Sequence, residues 1–114
     1  MKELHEKLAK WAGFAQSTSG HDIVWLLDNK WPPLEELPNF TESLDACFRW
    51  LVPKLPPLLY LAFWPVHFNG QEFWDVPLQG YGASFSYTER AETPALALCQ
   101  AIEQLIDAEP LAPV

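Results

Sequence analysis

Three histidines and two cysteines carry the side chains best suited to acid–base or nucleophilic chemistry in this 114-residue chain. The histidines are His5, His21 and His67. His21 is followed directly by Asp22, and a histidine oriented by a carboxylate can act as a general base. Nucleophiles that the fold could bring to this pair are Ser17, Thr18 and Cys99. The alternative is that Asp22 only caps the segment after it, which involves no catalysis.

No catalytic or metal-binding signature accompanies these residues. The chain has no pair of histidines at the i, i+4 spacing of a helical zinc motif, no G-x-S-x-G elbow and no Gly-rich phosphate loop. Cys47 and Cys99 stand in stretches with helical patterns and without C-x-x-C spacing. We therefore predict no catalytic, cofactor-binding or metal-binding residues. The two thiols are expected to be buried and free, with a disulfide between them as the alternative.

The charge of the chain is acidic and uneven. Asp and Glu number 15 against seven Lys and Arg, for a net charge of -8, and between Leu55 and Val114 the only lysine or arginine is Arg90. Binding to nucleic acid through phosphates needs a basic patch, so direct nucleic-acid binding is disfavoured. The acidic side chains can instead keep the protein soluble, attract a cationic partner or imitate the phosphates of DNA. The candidates for such a surface are Glu35, Glu36, Glu89 and Glu92.

Tryptophan occurs six times, and three copies are candidates for contact with a protein partner. Trp31 stands in a Pro-rich run, Trp50 lies off the apolar face of its helix, and Trp25 belongs to the poorly patterned stretch before them. Exposed tryptophans tend to be contact residues because a large rigid ring gains most from burial in a partner. Exposure would predict a homodimer or another protein partner. The alternative is that residues 23–37 fold over the central helix and cover Trp50.

Helical spacing of apolar residues predicts three helices. The first runs from Lys2 to Ala12. The central helix begins near Asn39 to Thr41, where Asn39 and Glu42 fit a capping box, and ends at Pro53. The last helix begins at Thr93-Pro94 and ends near Ala108, before a frayed tail over 109–114.

Three strands are predicted between the central and last helices. The continuously apolar run Leu58 to Trp64 indicates a strand covered on both faces, and Asn69-Gly70 is typical of a hairpin turn. Gln71 to Val76 and the alternating Ala83 to Thr88 complete a meander. Ile23 to Leu27 is equally consistent with a strand or a helical turn. The prediction is a single α+β domain over residues 1–114, a three-stranded antiparallel β-meander packed with three helices in the order α-α-β-β-β-α.

The chain carries no apolar stretch of the roughly 18 to 20 residues that span a bilayer. Its amino terminus has charges on both sides of its apolar positions, unlike a secretory signal. We therefore expect no membrane association and a cytoplasmic location.

Three stretches of the chain carry a family resemblance. They are Trp-Ala-Gly-Phe (Trp11 to Phe14), the opening of the central helix (Leu37 to Phe48) and the capped Ala-rich stretch from Ala91 to Ala101. In this order they resemble the phage-encoded ABA-sandwich domain family, small proteins of phage and prophage genomes. The resemblance implies a fold and a bacterial host cell. It implies no activity and no site residues.

These observations predict a non-catalytic phage or prophage accessory protein that self-associates or docks on another protein. This hypothesis requires a contiguous aromatic patch on the surface. The first alternative, a small enzyme, requires His21 or His67 within hydrogen-bond distance of a nucleophile in a concave pocket. The second alternative, an acidic DNA mimic, requires carboxylates ranged along one face.

Overall fold

The computed structural model describes residues 2–19, 22–27, 30–34, 38–83 and 85–108. Within these ranges the helices are α1 (Lys2–Trp11), α2 (Leu44–Ala46) and α3 (Pro94–Ala108). The strands are β1 (Phe14–Ser19), β2 (Asp22–Leu27), β3 (Lys30–Leu34), β4 (Leu58–Leu61), β5 (Trp64–Phe68), β6 (Gln71–Gly80) and β7 (Ser86–Ala91). The predicted α+β class is confirmed. The predicted order is corrected, because three strands lie between α1 and α2 and four lie between α2 and α3.

The first and last helices follow their sequence patterns. α1 ends at Trp11, and Gly13 turns the chain into β1 with a φ of 102°, which residues with a Cβ rarely adopt. α3 begins after Thr93, whose side-chain oxygen accepts a hydrogen bond from the Leu96 amide at 3.2 Å. The predicted cap at Thr93-Pro94 is therefore confirmed. The predicted frayed tail, 109–114, lies outside the described residues.

The central helix begins later than predicted. The hydroxyl of Ser43 caps it by accepting a hydrogen bond from the Ala46 amide at 3.2 Å. The Asn39 amide group donates to the Glu42 carboxylate at 2.8 Å, within a turn closed by a backbone bond from Ser43 to Asn39. These bonds stabilise a turn ahead of the helix, so the predicted start at Asn39 to Thr41 is wrong. After α2 the chain continues as a π-helical turn (Cys47–Leu51) and a 3₁₀ turn (Val52–Lys54).

The chain after α1 forms a first sheet that the sequence pattern does not predict. β1, β2 and β3 pair antiparallel in chain order. The polar residues at the end of β1 indicate a turn, yet they form ladder pairs such as Ser17 with Val24. The stretch Ile23 to Leu27, whose pattern fits a strand or a helical turn, belongs to strand β2. Pro32 and Pro33 lie in β3, which pairs with β2 alone among the described strands, and an edge strand tolerates missing N–H donors.

The second sheet has β6 at its centre and an interrupted edge. β7 pairs along one side of β6, while β4 and β5 pair one after the other along the opposite side. The predicted three-stranded meander is thus corrected to four strands. The strand expected to end at Val76 continues through Pro77 to Gly80.

Pro77 explains where this edge is interrupted. Its carbonyl accepts a hydrogen bond from the amide of Ala62, which lies between β4 and β5, at 3.3 Å. The N and O atoms of a strand residue point to the same neighbour, so the N–H that proline lacks faces this same edge. The ladder is weakened at the point where β4 gives way to β5.

One face of the second sheet packs against α3. Val76 and Leu78 of β6 are fully buried, as are Leu98 and Ile102 of α3. These four side chains belong to a hydrophobic core that also contains Phe14 of β1 and residues of β2 and the central helix. The opposite face of the second sheet does not pack against α3.

Candidate functional site

Where their side chains are described, the tryptophans predicted as partner contacts pack against other residues of the fold. Trp25 is only 8% exposed and belongs to the core. Trp50 is half-buried, and its ring lies edge-on to the Phe14 ring with 5.4 Å between centroids. The Arg49 guanidinium lies 4.9 Å from the centroid of the Trp50 ring. Trp31 lies in β3, and its side chain is outside the described part of the structure.

Two of the most exposed aromatic side chains, Trp64 and Phe68, lie on the face of the second sheet that points away from α3. Paired residues of an antiparallel ladder share a face. Trp64 is paired with Asp75, which lies one residue before the buried Val76 and so points to the opposite face. The same register places further apolar residues beside Trp64. These residues, here called the open face, are Trp64, Val66, Phe68 and Phe73.

The open face is accessible and continuous. Trp64 is 55% exposed and Phe68 is 60% exposed. Val66 and Phe73 are half-buried and form a directly opposed pair. Trp64, Val66 and Phe68 alternate along β5, so their side chains cover about 14 Å of one strand. The interaction hypothesis required an aromatic patch of this kind.

The exposure of this region corrects the expectation that Leu58 to Trp64 is covered on both faces. Leu59 is 54% exposed, a value close to that of Trp64. The run lies along the outer edge of the sheet, and α3 packs on only one face. A run of apolar residues is compatible with a doubly covered strand or with an exposed edge, and only the position in the sheet distinguishes them.

An ion pair lies beside the aromatic side chains on the same face. Arg90 of β7 donates two hydrogen bonds to the Asp75 carboxylate, from Nε at 2.6 Å and from a terminal nitrogen at 2.9 Å. These bonds and the adjacent positive charge hold the pKa of the Asp75 carboxyl below its ordinary value. Arg90, the one arginine in the second half of the chain, is thus already engaged in an ion pair.

The Asp75–Arg90 pair makes a prediction for acid stability. A carboxyl whose pKa is lower in the folded state contributes its full stabilisation above the unfolded pKa, near 4, and loses it as the pH falls through the lower folded value. Asp75→Asn removes this contribution. We expect the variant to be only slightly less stable than wild type at pH 6, because an exposed pair contributes little. The difference should be smaller at pH 2, because the Asp75 carboxyl takes up its proton as the pH falls. Urea midpoints at both pH values measure this, and an unchanged difference would contradict it.

A surface depression with two carboxylates adjoins the open face. It is lined by Gln71, Glu72, Phe73 and Glu92 and has a volume of about 280 Å³. Pockets that enclose a small-molecule ligand usually measure about 300 to 1,000 Å³. The depression therefore suits a side chain of a partner, and its carboxylates favour a lysine or arginine.

The acidic cluster predicted around Arg90 is divided by the fold. Arg90 pairs with Asp75, and the Glu89 carboxylate accepts a hydrogen bond from Gln104. Lys7 contacts Glu103 and Asp107, each at 3.0 Å. Glu35 and Glu36 lie outside the described residues. Of the predicted cluster, Glu89 is thus bound to α3, whereas Glu92 lines the surface depression.

The two cysteines, distant in sequence, meet in the core. The sulfur of Cys47, in the π-helical turn, lies 3.7 Å from the sulfur of Cys99 in α3. Both thiols are fully buried and lie within hydrogen-bond distance of the Phe40 carbonyl oxygen, at 3.0 and 3.3 Å. The hydrogen bond to Cys47, together with burial, raises the pKa of Cys99. Both cysteines are free in this structure, as the sequence predicts.

The two histidines that the structure describes, His5 and His67, lie in different elements and make separate contacts. His5 Nε2 lies 2.8 Å from the hydroxyl of the buried Thr41, which ties α1 to the turn before α2. His67 is exposed in β5, and its Nδ1 lies 3.9 Å from the Glu72 carboxylate. His21 lies outside the described residues, so the proposed His21–Asp22 pair stays a prediction. Among the residues described, no cluster of three or more His, Cys, Asp or Glu could hold a metal ion.

Comparison of the chain with protein-family models, with curated proteins and with solved structures finds no match. The resemblance to the phage-encoded ABA-sandwich family therefore stays a prediction. None of the helices in the described ranges has the length and apolar character needed to cross a membrane.

Sequence reasoning missed the open face although part of its signal was present. Trp64, Val66 and Phe68 alternate immediately before the Asn69-Gly70 turn, and Phe73 follows it at the mirrored position. A two-residue turn pairs Phe68 with Gln71, which places Val66 opposite Phe73. The shared face was therefore predictable. Its exposure was not, because that depends on where α3 packs.

Proposed function

We propose that this domain is a non-catalytic protein-binding module that docks on a partner through the open face. The observation that supports the proposal is the set of four adjoining apolar side chains on β5 and β6, of which the two large aromatics Trp64 and Phe68 are 55% and 60% exposed. Large aromatic side chains that converge on one accessible surface are typical of interfaces, where they act as anchors. A phage or prophage accessory role belongs to the same proposal.

The charge around the open face favours a basic partner. The chain has a net charge of -8, and Glu72 and Glu92 line the depression at the end of the open face. Glu72 pairs with His67 and so projects from the opposite face at this end of the hairpin. Arg90 is already paired with Asp75 on this face. A second copy of the chain would bring like charge to like charge, whereas a partner with lysines or arginines around an apolar strip would be attracted. The proposed partner is therefore a different, basic protein, and nucleic acid is not the proposed ligand.

Docking on the face is favoured over pairing at the edge. β5 is an edge strand with a proline at its second position, Pro65, which removes a backbone donor that an added strand would need. A twisted face with alternating aromatic side chains offers contact area without this requirement. We expect the bound segment to contact the side chains of Trp64 and Phe68 rather than to extend the sheet.

Selection of peptides from a random library on the immobilised domain tests the proposal without knowledge of the natural partner. We expect the selected peptides to combine aromatic or aliphatic residues with lysine or arginine. Their affinity should fall as salt rises from 50 to about 500 mM, because screening weakens the contribution of Glu72 and Glu92. Replacement of both glutamates by glutamine should reduce the salt dependence while retaining the apolar contribution.

Two results would contradict this proposal. One is selection of peptides without basic residues whose affinity is independent of salt. The other is a solution mass, measured by light scattering across micromolar concentrations, that is twice the 13.0 kDa of the chain and returns to 13.0 kDa in a Phe68→Ser variant. The second result would assign the open face to self-association, the alternative that the sequence also predicts.

A further inference from the structure

The buried thiol pair is chemistry that the proposed docking function does not use. Cys47 and Cys99 are 52 positions apart in the chain, yet their sulfur atoms are 3.7 Å apart inside the core. Each thiol carries one proton, and both sulfurs share the Phe40 carbonyl as an acceptor. No other thiol competes for either cysteine, since the chain has only these two.

We propose that Cys47 and Cys99 form a site of reversible oxidation, and that the folded domain accommodates the intramolecular disulfide between them. The structure represents the reduced state of this site. A disulfide has a sulfur–sulfur distance of about 2.05 Å, so closure needs an approach of about 1.7 Å from the reduced contact. Rotation of the two side chains about their Cα–Cβ bonds can supply a movement of this size.

The oxidant is a small-molecule disulfide such as oxidised glutathione. The thiolate of one cysteine attacks a sulfur of this disulfide, which forms a mixed disulfide and releases one glutathione thiolate. The second cysteine, after losing its proton, attacks the protein sulfur of the mixed disulfide and releases the second glutathione. Two protons leave the protein and two electrons pass to the oxidant, which ends as two reduced glutathione molecules.

Closure has opposing effects on stability. The cross-link restricts the unfolded chain over a loop of about 50 residues, which favours the folded state. The Phe40 carbonyl loses two thiol donors, and these are weak hydrogen bonds. The loop effect is the larger, so we expect the oxidised domain to melt at least about 10 °C above the reduced domain.

The test is refolding of the full chain in a glutathione redox buffer, which gives the oxidant access to thiols that are buried in the native state. The products are examined by intact mass, by peptide mapping without reductant and by thermal melting. We expect a mass lower by two hydrogen atoms, a linked peptide containing Cys47 and Cys99, and a higher melting temperature that returns to the reduced value with dithiothreitol. Cys47→Ser and Cys99→Ser serve as matched controls and should show neither the link nor the shift.

Three outcomes would overturn the proposal. The first is a refolded domain that keeps two free thiols at every ratio of oxidised to reduced glutathione. The second is a product with glutathione adducts or linked dimers in place of the internal link. The third is an internal link accompanied by a lower melting temperature, which would show that the native core excludes the disulfide.

Discussion

Replacing Phe40 by alanine is expected to lower the free energy of unfolding by about 3 to 5 kcal/mol. The ring is fully buried in the turn before α2. It lies edge-on to His5 of α1, with 6.2 Å between centroids, and edge-on to Phe14 of β1 at 6.4 Å. Truncation would leave a cavity where these elements meet. Domains of this size have a total stability of about 5 to 15 kcal/mol, so the loss would be a large fraction.

Urea unfolding followed by tryptophan fluorescence measures this change. Phe40→Leu is the matched control, since it keeps most of the apolar volume and should cost roughly 1 to 2 kcal/mol. Neither change removes the Phe40 carbonyl that accepts from the two thiols. A loss below about 1 kcal/mol for the alanine variant would show that the ring does not hold α1 and β1 together.

Replacing Trp64 and Phe68 together by serine is expected to reduce partner affinity by at least about 30-fold and to leave folding stability nearly unchanged. Anchor residues at interfaces contribute about 2 kcal/mol or more each, and 1.4 kcal/mol corresponds to a tenfold change in affinity. Both side chains are more than half exposed, so the folded domain depends little on them. Substitutions at such positions usually change stability by about 0.5 kcal/mol or less.

The matched control for this pair is Tyr81→Ser. Tyr81 is 59% exposed, as accessible as Phe68, but it follows the far end of β6. Ten residues of extended strand place it roughly 30 Å from the Phe68 end of the open face. Titration calorimetry with a selected basic peptide should give wild-type affinity for Tyr81→Ser. Equal losses in both variants would indicate a nonspecific effect of removing surface aromatics.

Local signals in the sequence were sufficient for the features that depend on a few neighbouring residues. The cap at Thr93, the end of α1 at Gly13 and the turn at Asn69-Gly70 are examples. Each of these features depends on a side-chain hydrogen bond or a backbone conformation that involves no more than four neighbouring residues. The turn takes the positive φ values expected, 51° at Asn69 and 76° at Gly70.

Features set by tertiary packing could not be predicted from local sequence signals. The central segment has the apolar spacing of a regular α-helix, but the chain forms only three α-helical residues before a π-helical turn that buries Cys47 and Leu51. The first sheet was missed because its strands contain serines and prolines that favour turns in isolation. Pairing with a neighbour overrides these local preferences.

The candidate sites were only partly predictable for the same reason. The sequence pattern predicts that both cysteines are buried, but it does not decide whether residues 52 positions apart touch. It drew attention to tryptophans because of their size, although two of the three candidates pack within the fold. Exposure of Trp64 and Phe68 is decided by the side of the sheet that α3 covers, which is a property of the whole chain.

Site-specific photo-crosslinking tests whether this domain meets its partner at the open face. A benzophenone amino acid is placed at position 68 in one variant and at position 81 in another, and each is irradiated in an extract of bacterial cells. We expect a discrete crosslinked product from position 68 that weakens at high salt and whose partner is a basic protein. A product from position 81 with none from position 68 would contradict this expectation.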